Sequence, residues 1–259
     1  MRGTFTLVRL MLIGILTGMA PASVIALEPA PSGLPDIGML PPTDFSIQNR
    51  PRGVRLLRFD TVVVNTGPGV FEVIGRDDPL DQTNKLRVSQ LVQSESGVVA
   101  HETGAVMSYS GDGHNHWHVE NLQHWTIVNA NDAAARVLAS GAKTGFCFWD
   151  NYRFGSVHPA YYYPGSDRTS ACEMTADGVP MGLSVGWGDE YPSTIAYQYI
   201  DITGLPNGDY TVTVQADPEN WFLEHTADDL NNVSWTRIRI TRKGVEVLQY
   251  GPSPALPSP

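Results

Sequence analysis

Residues 111–128 read GDGHNHWHVENLQHWTIV and hold four of the seven histidines of the chain. His114, His116 and His118 fall at every second position, and His124 follows at an even offset. On a β-strand, side chains at i, i+2 and i+4 share one face about 7 Å apart, so a bent or twisted strand lets three imidazoles converge on one ion. Neutral imidazole suits copper and zinc, whereas calcium and magnesium take oxygen donors. A row of three imidazoles is costly in charge repulsion without a metal, so the spacing points to a metal centre. Three histidines and a water also describe hydrolytic zinc, which leaves the metal open on these residues alone. Trp117 points to the other face and is expected to anchor the strand in the core.

A second cluster is rich in oxygen. EHTADDLNNV (224–233) brings Glu224, Asp228, Asp229, Asn231 and Asn232 into one loop between two strands. Carboxylates and amide oxygens at this density can hold calcium, and a plain polar loop explains them almost equally well. The two cysteines, Cys147 and Cys172, are expected to form one disulfide if the chain is exported.

The elements that must position these groups read as strands. RLLRFDTVVVNTGPGVFEVIG (55–75) alternates Leu57, Phe59 and Val63 with Arg58 and Asp60, and a glycine-proline turn leads into a second β-rich run. YQYIDITGLPNGDYTVTVQAD (197–217) reads as a hairpin turned at Pro206-Asn207-Gly208, with Tyr210, Val212, Val214 and Ala216 on one face. VSWTRIRIT (233–241) reads as the closing strand. No long helical period with caps is present, so the expected fold is all-β, a β-sandwich with long loops carrying the metal site.

The ends differ from the body. Residues 1–26 carry Arg2 and Arg9, an apolar run and small residues near Val24-Ile25-Ala26, the layout of a secretory signal peptide. Residues 27–33 are a proline-rich lead-in, 34–245 the domain, and 246–259 a proline-rich tail expected to be disordered. The apolar run is short for a membrane span, so a secreted or periplasmic protein is expected. Removing residues 1–26 leaves 15 basic against 27 acidic residues, a net charge of −12. Such a surface repels nucleic acid and tolerates cationic partners such as amines and basic polypeptides.

Several of these stretches together resemble the lysyl oxidase family. HNHWH, LQHWTIVNAND and RVLASGAKTGFCFWD are similar to its copper-binding segment, a His-x-His-x-His run with another histidine six residues on. A Gly-x-Lys-x-x-Phe-Cys block follows, here Gly141, Lys143, Phe146 and Cys147. LPDI (34–37), GVRLLRFDTVVVNTGPGVF, GLSVGWGDEY and YQYIDITGLPNGDY extend the resemblance over nearly all of the chain after its leader.

The resemblance implies a copper-dependent amine oxidase with a lysine tyrosylquinone made from its own side chains. On the matched motifs the lysine is Lys143 and the tyrosine is Tyr191, twelve residues before the Thr of Ile-Asp-Ile-Thr. His114, His116 and His118 would hold copper. His124 would be either the base that removes the substrate α-proton or a support for the copper ligands. Primary amines, peptidyl lysine among them, would yield aldehydes, with O2 consumed and ammonia and hydrogen peroxide released. Cys147 and Cys172 match a family disulfide. Some members hold calcium with an N-terminal Asp-Leu pair, here Asp36 and Ile37 through its carbonyl, together with Glu224, Asp228, Asn231 and Asn232. A two-residue insertion in this loop makes Glu224 the weakest match.

The departures are Gly113, where animal members carry a cysteine, the absence of most of their other cysteines, and a different segment from Asn151 to Ser170. Two other functions stay open on the sequence: an exported copper-binding β-sandwich without catalysis, and a zinc hydrolase. The second is disfavoured because no paired catalytic carboxylate is obvious beside the histidines, Glu120 being a close acid without a clear partner.

Overall fold

The computed structural model describes residues 33–78, 83–94, 96–109, 115–143, 145–155, 158–163, 166, 172–225 and 230–255. In chain order the strands are β1 (Ile37–Met39), β2 (Thr43–Asn49), β3 (Arg55–Asn65), β4 (Phe71–Asp77), β5 (Leu86–Ser94), β6 (Gly97–Tyr109), β7 (Trp117–Val119) and β8 (Gln123–Asn129). Then follow β9 (Val137–Lys143), β10 (Tyr152–Arg153), β11 (Val179–Leu183), β12 (Trp187–Tyr191), β13 (Tyr199–Asp201), β14 (Gly208–Ala216), β15 (Val233–Ile240) and β16 (Val245–Tyr250). No α-helix occurs among the described residues, so the chain is all-β as expected.

Three antiparallel sheets are built. Two have five strands, in the orders β11-β4-β5-β6-β7 and β16-β15-β14-β8-β9. The third has six and is organised on β3, whose first half pairs with β2 and β13 and whose second half pairs with β1 and β12. Residues 59–65 of β3 are buried without a break. The strict alternation read from Leu57, Phe59 and Val63 therefore stops at Phe59, because both faces of the second half are covered.

The core joins the layers through aromatic rings. Phe59 meets Trp125 of β8 edge-on at 5.2 Å, and Phe71 meets Phe148 and Phe222 at 5.2 Å and 5.0 Å. Such offset and T-shaped pairs satisfy the ring quadrupoles while removing large apolar areas from water. Tyr210, Val212, Val214 and Ala216 line one buried face of β14, as their alternation implies.

Two expectations are corrected. Residues 197–217 are not a hairpin: β13 pairs with β3, and β14 pairs with β8 and β15. Alternation assigns faces but not partners, and the six residues between the two strands are long enough to cross between layers. VSWTRIRIT is also not the last strand. Val245–Tyr250 is a sheet strand paired with β15 after a turn at Gly244 (φ 140°), so Val233–Ile240 does not close the domain. Beyond it, Ser234 Oγ donates to the Pro252 carbonyl at 2.7 Å. Pro254 lies so close to Gly38 that a Cβ there would sit 2.5 Å from its Cγ. The stretch up to residue 255 is thus packed on the body, and only 256–259 of the tail, like all of 1–32, lie outside the described residues.

Phe59→Ala is expected to lower the unfolding free energy by about 3–5 kcal/mol, because the ring is fully buried at the junction of two sheets. Urea denaturation followed by tryptophan fluorescence measures it.

Candidate active site

β7, the end of β9, the Gly145–Asn151 segment and β12 converge on one cavity of about 530 Å³. His116, His118, Lys143, Cys147, Trp149, Asn151, Glu173, Asp189, Glu190, Tyr191, Pro192 and Ile195 line it.

The histidine row is not one straight strand. Asn115 adopts φ 55°, a left-handed conformation that asparagine tolerates better than most residues. The chain bends there, and strand geometry begins only at Trp117. The His116 and His118 rings consequently lie 4.4 Å apart between centroids, closer than the spacing along a regular strand. His118 is buried and His116 half-buried. Trp117 packs partly buried against the core as expected, edge-on to Tyr109 at 5.7 Å. His114 lies outside the described residues, and among the described residues no three metal-ligating side chains converge.

β7 is gripped on both sides. β6 pairs with it on one side, His118 lying opposite Ser108. On the other side, Val119 and Phe146 exchange reciprocal backbone hydrogen bonds of 2.9 Å, and the Trp117 N–H donates to the Cys172 carbonyl at 2.9 Å. Gly145 permits this approach, since a Cβ there would stand 2.6 Å from the His118 Cβ. The Cys147–Cys172 disulfide, with Cα atoms 5.8 Å apart, ties the strap to the same strand.

This strap delivers Lys143 to Tyr191. Lys143 ends β9 opposite Gln123 and is buried. Its Nζ lies 4.6 Å from the centre of the Tyr191 ring and 5.7 Å from that of Phe146. Tyr191 ends β12 opposite Thr61, and its ring meets Phe146 edge-on at 4.9 Å. Behind the phenol stands Asp189, two residues earlier and hence on the same face. Its carboxylate accepts the Tyr191 hydroxyl at 2.5 Å and the Asn151 Nδ2 at 2.6 Å. Asn151 is itself fixed, because its Oδ1 accepts the Glu190 N–H at 2.7 Å. Burial pushes the Asp189 carboxyl well above the usual range, opposed by hydrogen bonds from Tyr191 and Asn151 and by the Lys143 charge. Burial first, and then the adjacent Asp189, raise the Tyr191 phenol well above its ordinary value.

One cavity wall is pinned from outside. Arg58 donates to the Ser193 and Ile195 carbonyls, and Asp60 accepts the Ser193 N–H at 2.5 Å.

The sequence-derived residues divide. His116, His118, Lys143, Tyr191 and Cys147 meet at the cavity. His124 does not line it: it is exposed on β8, opposite Ala142 and Gln215. Glu120 is held by Lys85 at 2.7 Å and does not line the cavity either. The acids that do are Glu173, Asp189 and Glu190, so nearness in sequence was a poor guide to acids near the histidines. Asp189 and Asn151 were missed. Asp189 could have been found from its same-face offset to Tyr191 in GWGDEY; Asn151 carried no signal.

The oxygen-rich cluster also assembles. Asn231 Nδ2 donates to Asp36 Oδ1 at 2.7 Å, Asn232 Nδ2 to Glu224 Oε1 at 2.9 Å, and the Ile37 N–H to Glu224 Oε2 at 2.5 Å. Glu224, the weakest match in sequence, is thus central, and burial pushes its carboxyl up to about 8. Among the described residues, the buried Oδ1 atoms of Asn231 and Asn232 have no hydrogen-bond partner. Asp228 lies outside the described residues.

The frame is all-β, and a buried lysine lies over a tyrosine ring in a cavity that two imidazoles also line. Comparison with known proteins makes the class specific. The model of the lysyl oxidase family matches residues 76–249, and the chain belongs to that family. It is 33% identical to protein-lysine 6-oxidase of Homo sapiens over 129 residues, 49% of this chain and 27% of that protein. Against lysyl oxidase homolog 2 of Bos taurus it is 30% identical over 129 residues, covering 14% of that protein. Against protein-lysine 6-oxidase of Sus scrofa the identity is 32%, covering 45%. The matched stretch therefore spans less than half the length of each of these relatives.

Cys172→Ser is expected to lower stability by about 3 kcal/mol, the loop-closure contribution of a bridge separated by 25 residues. Comparing denaturation midpoints of the two oxidised proteins checks it.

Proposed function

We propose that this chain is a secreted copper-dependent amine oxidase that converts primary amines, peptidyl lysine among them, to aldehydes. Ammonia and hydrogen peroxide would be released, and O2 consumed. The observation that carries the reading is Lys143 Nζ poised 4.6 Å from the Tyr191 ring centre, in a cavity that also presents His116 and His118. The donor set fits copper, since neutral imidazoles suit it and the His116 and His118 rings lie 4.4 Å apart. His116 and His118, with His114 as the third ligand, would hold it. Copper with O2 would supply the oxidising power that turns the Tyr191 ring into a quinone linked to the Lys143 amine.

The chain's own groups would do the rest. Burial strips water from the Lys143 amine and holds it over the ring that it must join. Trp149, Pro192 and Ile195 give the cavity apolar walls that exclude water from the reacting carbon. Glu173 and Glu190, both exposed at this cavity, favour entry of a cationic amine. His124, exposed and away from the lining, is not supported as the base by this position. The leader in residues 1–26 and the disulfide support export, and no helix among the described residues is long and apolar enough to cross a membrane.

Asp36, the Ile37 carbonyl, Glu224, Asp228, Asn231 and Asn232 would hold calcium. The two partnerless buried amide oxygens beside two carboxylates support this, because a cation satisfies such oxygens and favours the ionised form of Glu224.

Copper-loaded protein, digested and analysed by mass spectrometry, is expected to yield a peptide joining Lys143 to an oxidised Tyr191. Lys143→Arg is expected to abolish peroxide release from an amine while binding copper as before. Both peptides unmodified in copper-loaded wild type would leave a copper-binding module instead. Saturating calcium is expected to raise the melting temperature by about 5–10 °C, the shift for a ligand at roughly a hundred times its dissociation constant. Glu224→Gln should lose most of that rise in a calorimetric scan.

A further inference from the structure

We propose that Asp189 is the proton acceptor of the Tyr191 phenol, with Asn151 as the residue that positions it. The proposal rests on the reading of Lys143 and Tyr191 as a self-processed pair. A phenol gives up electrons far more readily once its proton has gone, and the buried Tyr191 exchanges that proton with bulk water only slowly. Its hydroxyl instead points at Asp189 Oδ2, 2.5 Å away. In the step, the Tyr191 O–H bond breaks and an O–H bond forms on Asp189. The bonding pair stays on the phenolic oxygen, and neither residue is oxidised or reduced. The oxidising power for the ring would be supplied separately, by copper held at His114, His116 and His118 together with O2.

Geometry singles out this carboxylate. Asn151 Nδ2 occupies Asp189 Oδ1 at 2.6 Å and leaves Oδ2 for the phenol. Asn151 cannot swing away, because its Oδ1 holds the Glu190 N–H at 2.7 Å and its own N–H reaches the Gly188 carbonyl at 3.1 Å. Glu190 and Glu173 line the same cavity but are exposed, whereas Asp189 is buried and bonded directly to the phenol. The titratable groups facing Asp189 are Tyr191, Lys143 and, more weakly, Asp150. His116 and His118 share the cavity but would be engaged as copper ligands. Burial, the largest influence, raises the Asp189 carboxyl, and the hydrogen bonds from Tyr191 and Asn151 and then the Lys143 charge oppose it.

The test follows cross-link formation in the full chain, loaded with copper in air and sampled over time by mass spectrometry. Asp189→Asn is expected to form the Lys143–Tyr191 cross-link at least tenfold more slowly near neutral pH, with copper content unchanged. Its rate should then climb about tenfold per pH unit as hydroxide replaces the missing base, and Asp189→Glu should recover part of the wild-type rate. Cross-linking of Asp189→Asn at the wild-type rate overturns the proposal, and so does a slow rate that stays flat with pH. Should that variant fail to fold, Asn151→Ala decides: slower cross-linking supports the proposal and an unchanged rate overturns it. A wild-type chain that binds copper and never cross-links overturns the oxidase reading itself, and this proposal with it.

Discussion

The reciprocal hydrogen bonds between Val119 and Phe146 are two bonds of 2.9 Å, and the rest of the cavity hangs on them. They join the histidine strand to the segment that follows the lysine, so His118 and Lys143 are set by one pairing. The same pairing aims the Phe146 ring at Tyr191, whose strand belongs to another sheet. Each bond contributes only about 1 kcal/mol net. Their effect comes from what reinforces them: a glycine that admits the close approach, a disulfide that shortens the tether, and the burial of Phe146 itself.

Burial creates the chemistry as well as the shape. Lys143, Tyr191 and Asp189 are ordinary surface residue types, and each would be solvated and inert on an exposed strand. Enclosed together, they become each other's solvent. The carboxylate is held by an amide and a phenol, the ammonium lies over an aromatic face, and each charged form depends on the neighbour's. Loss of one member leaves the others buried without compensation, which is why single substitutions here should act far beyond their size.

The central strand β3 explains how distant segments arrive. Its two halves serve different partners, and only its second half carries β12. Placing Tyr191 opposite Thr61 and Asp189 opposite Val63 fixes both side chains on one face by register alone. Arg58 and Asp60 then secure the loop that follows, so the strand that builds the core also holds one cavity wall.

What the sequence by itself determined is local and periodic. Alternation in β14 specified its buried face, the histidine row raised the expectation of a metal, and the two cysteines specified a bridge that formed. The family resemblance paired Lys143 with Tyr191, which neither composition nor periodicity could do. Only the tertiary structure decided which strands became neighbours. It took 197–217 apart into two sheets, turned His124 away from the cavity, bent the chain at Asn115, and put Asp189 and Asn151 behind the phenol. The physical reason is that a side chain's face follows from a period of two residues within its own strand. Its partners are chosen by how all the strands together bury their apolar faces, and that choice is not written at any one position.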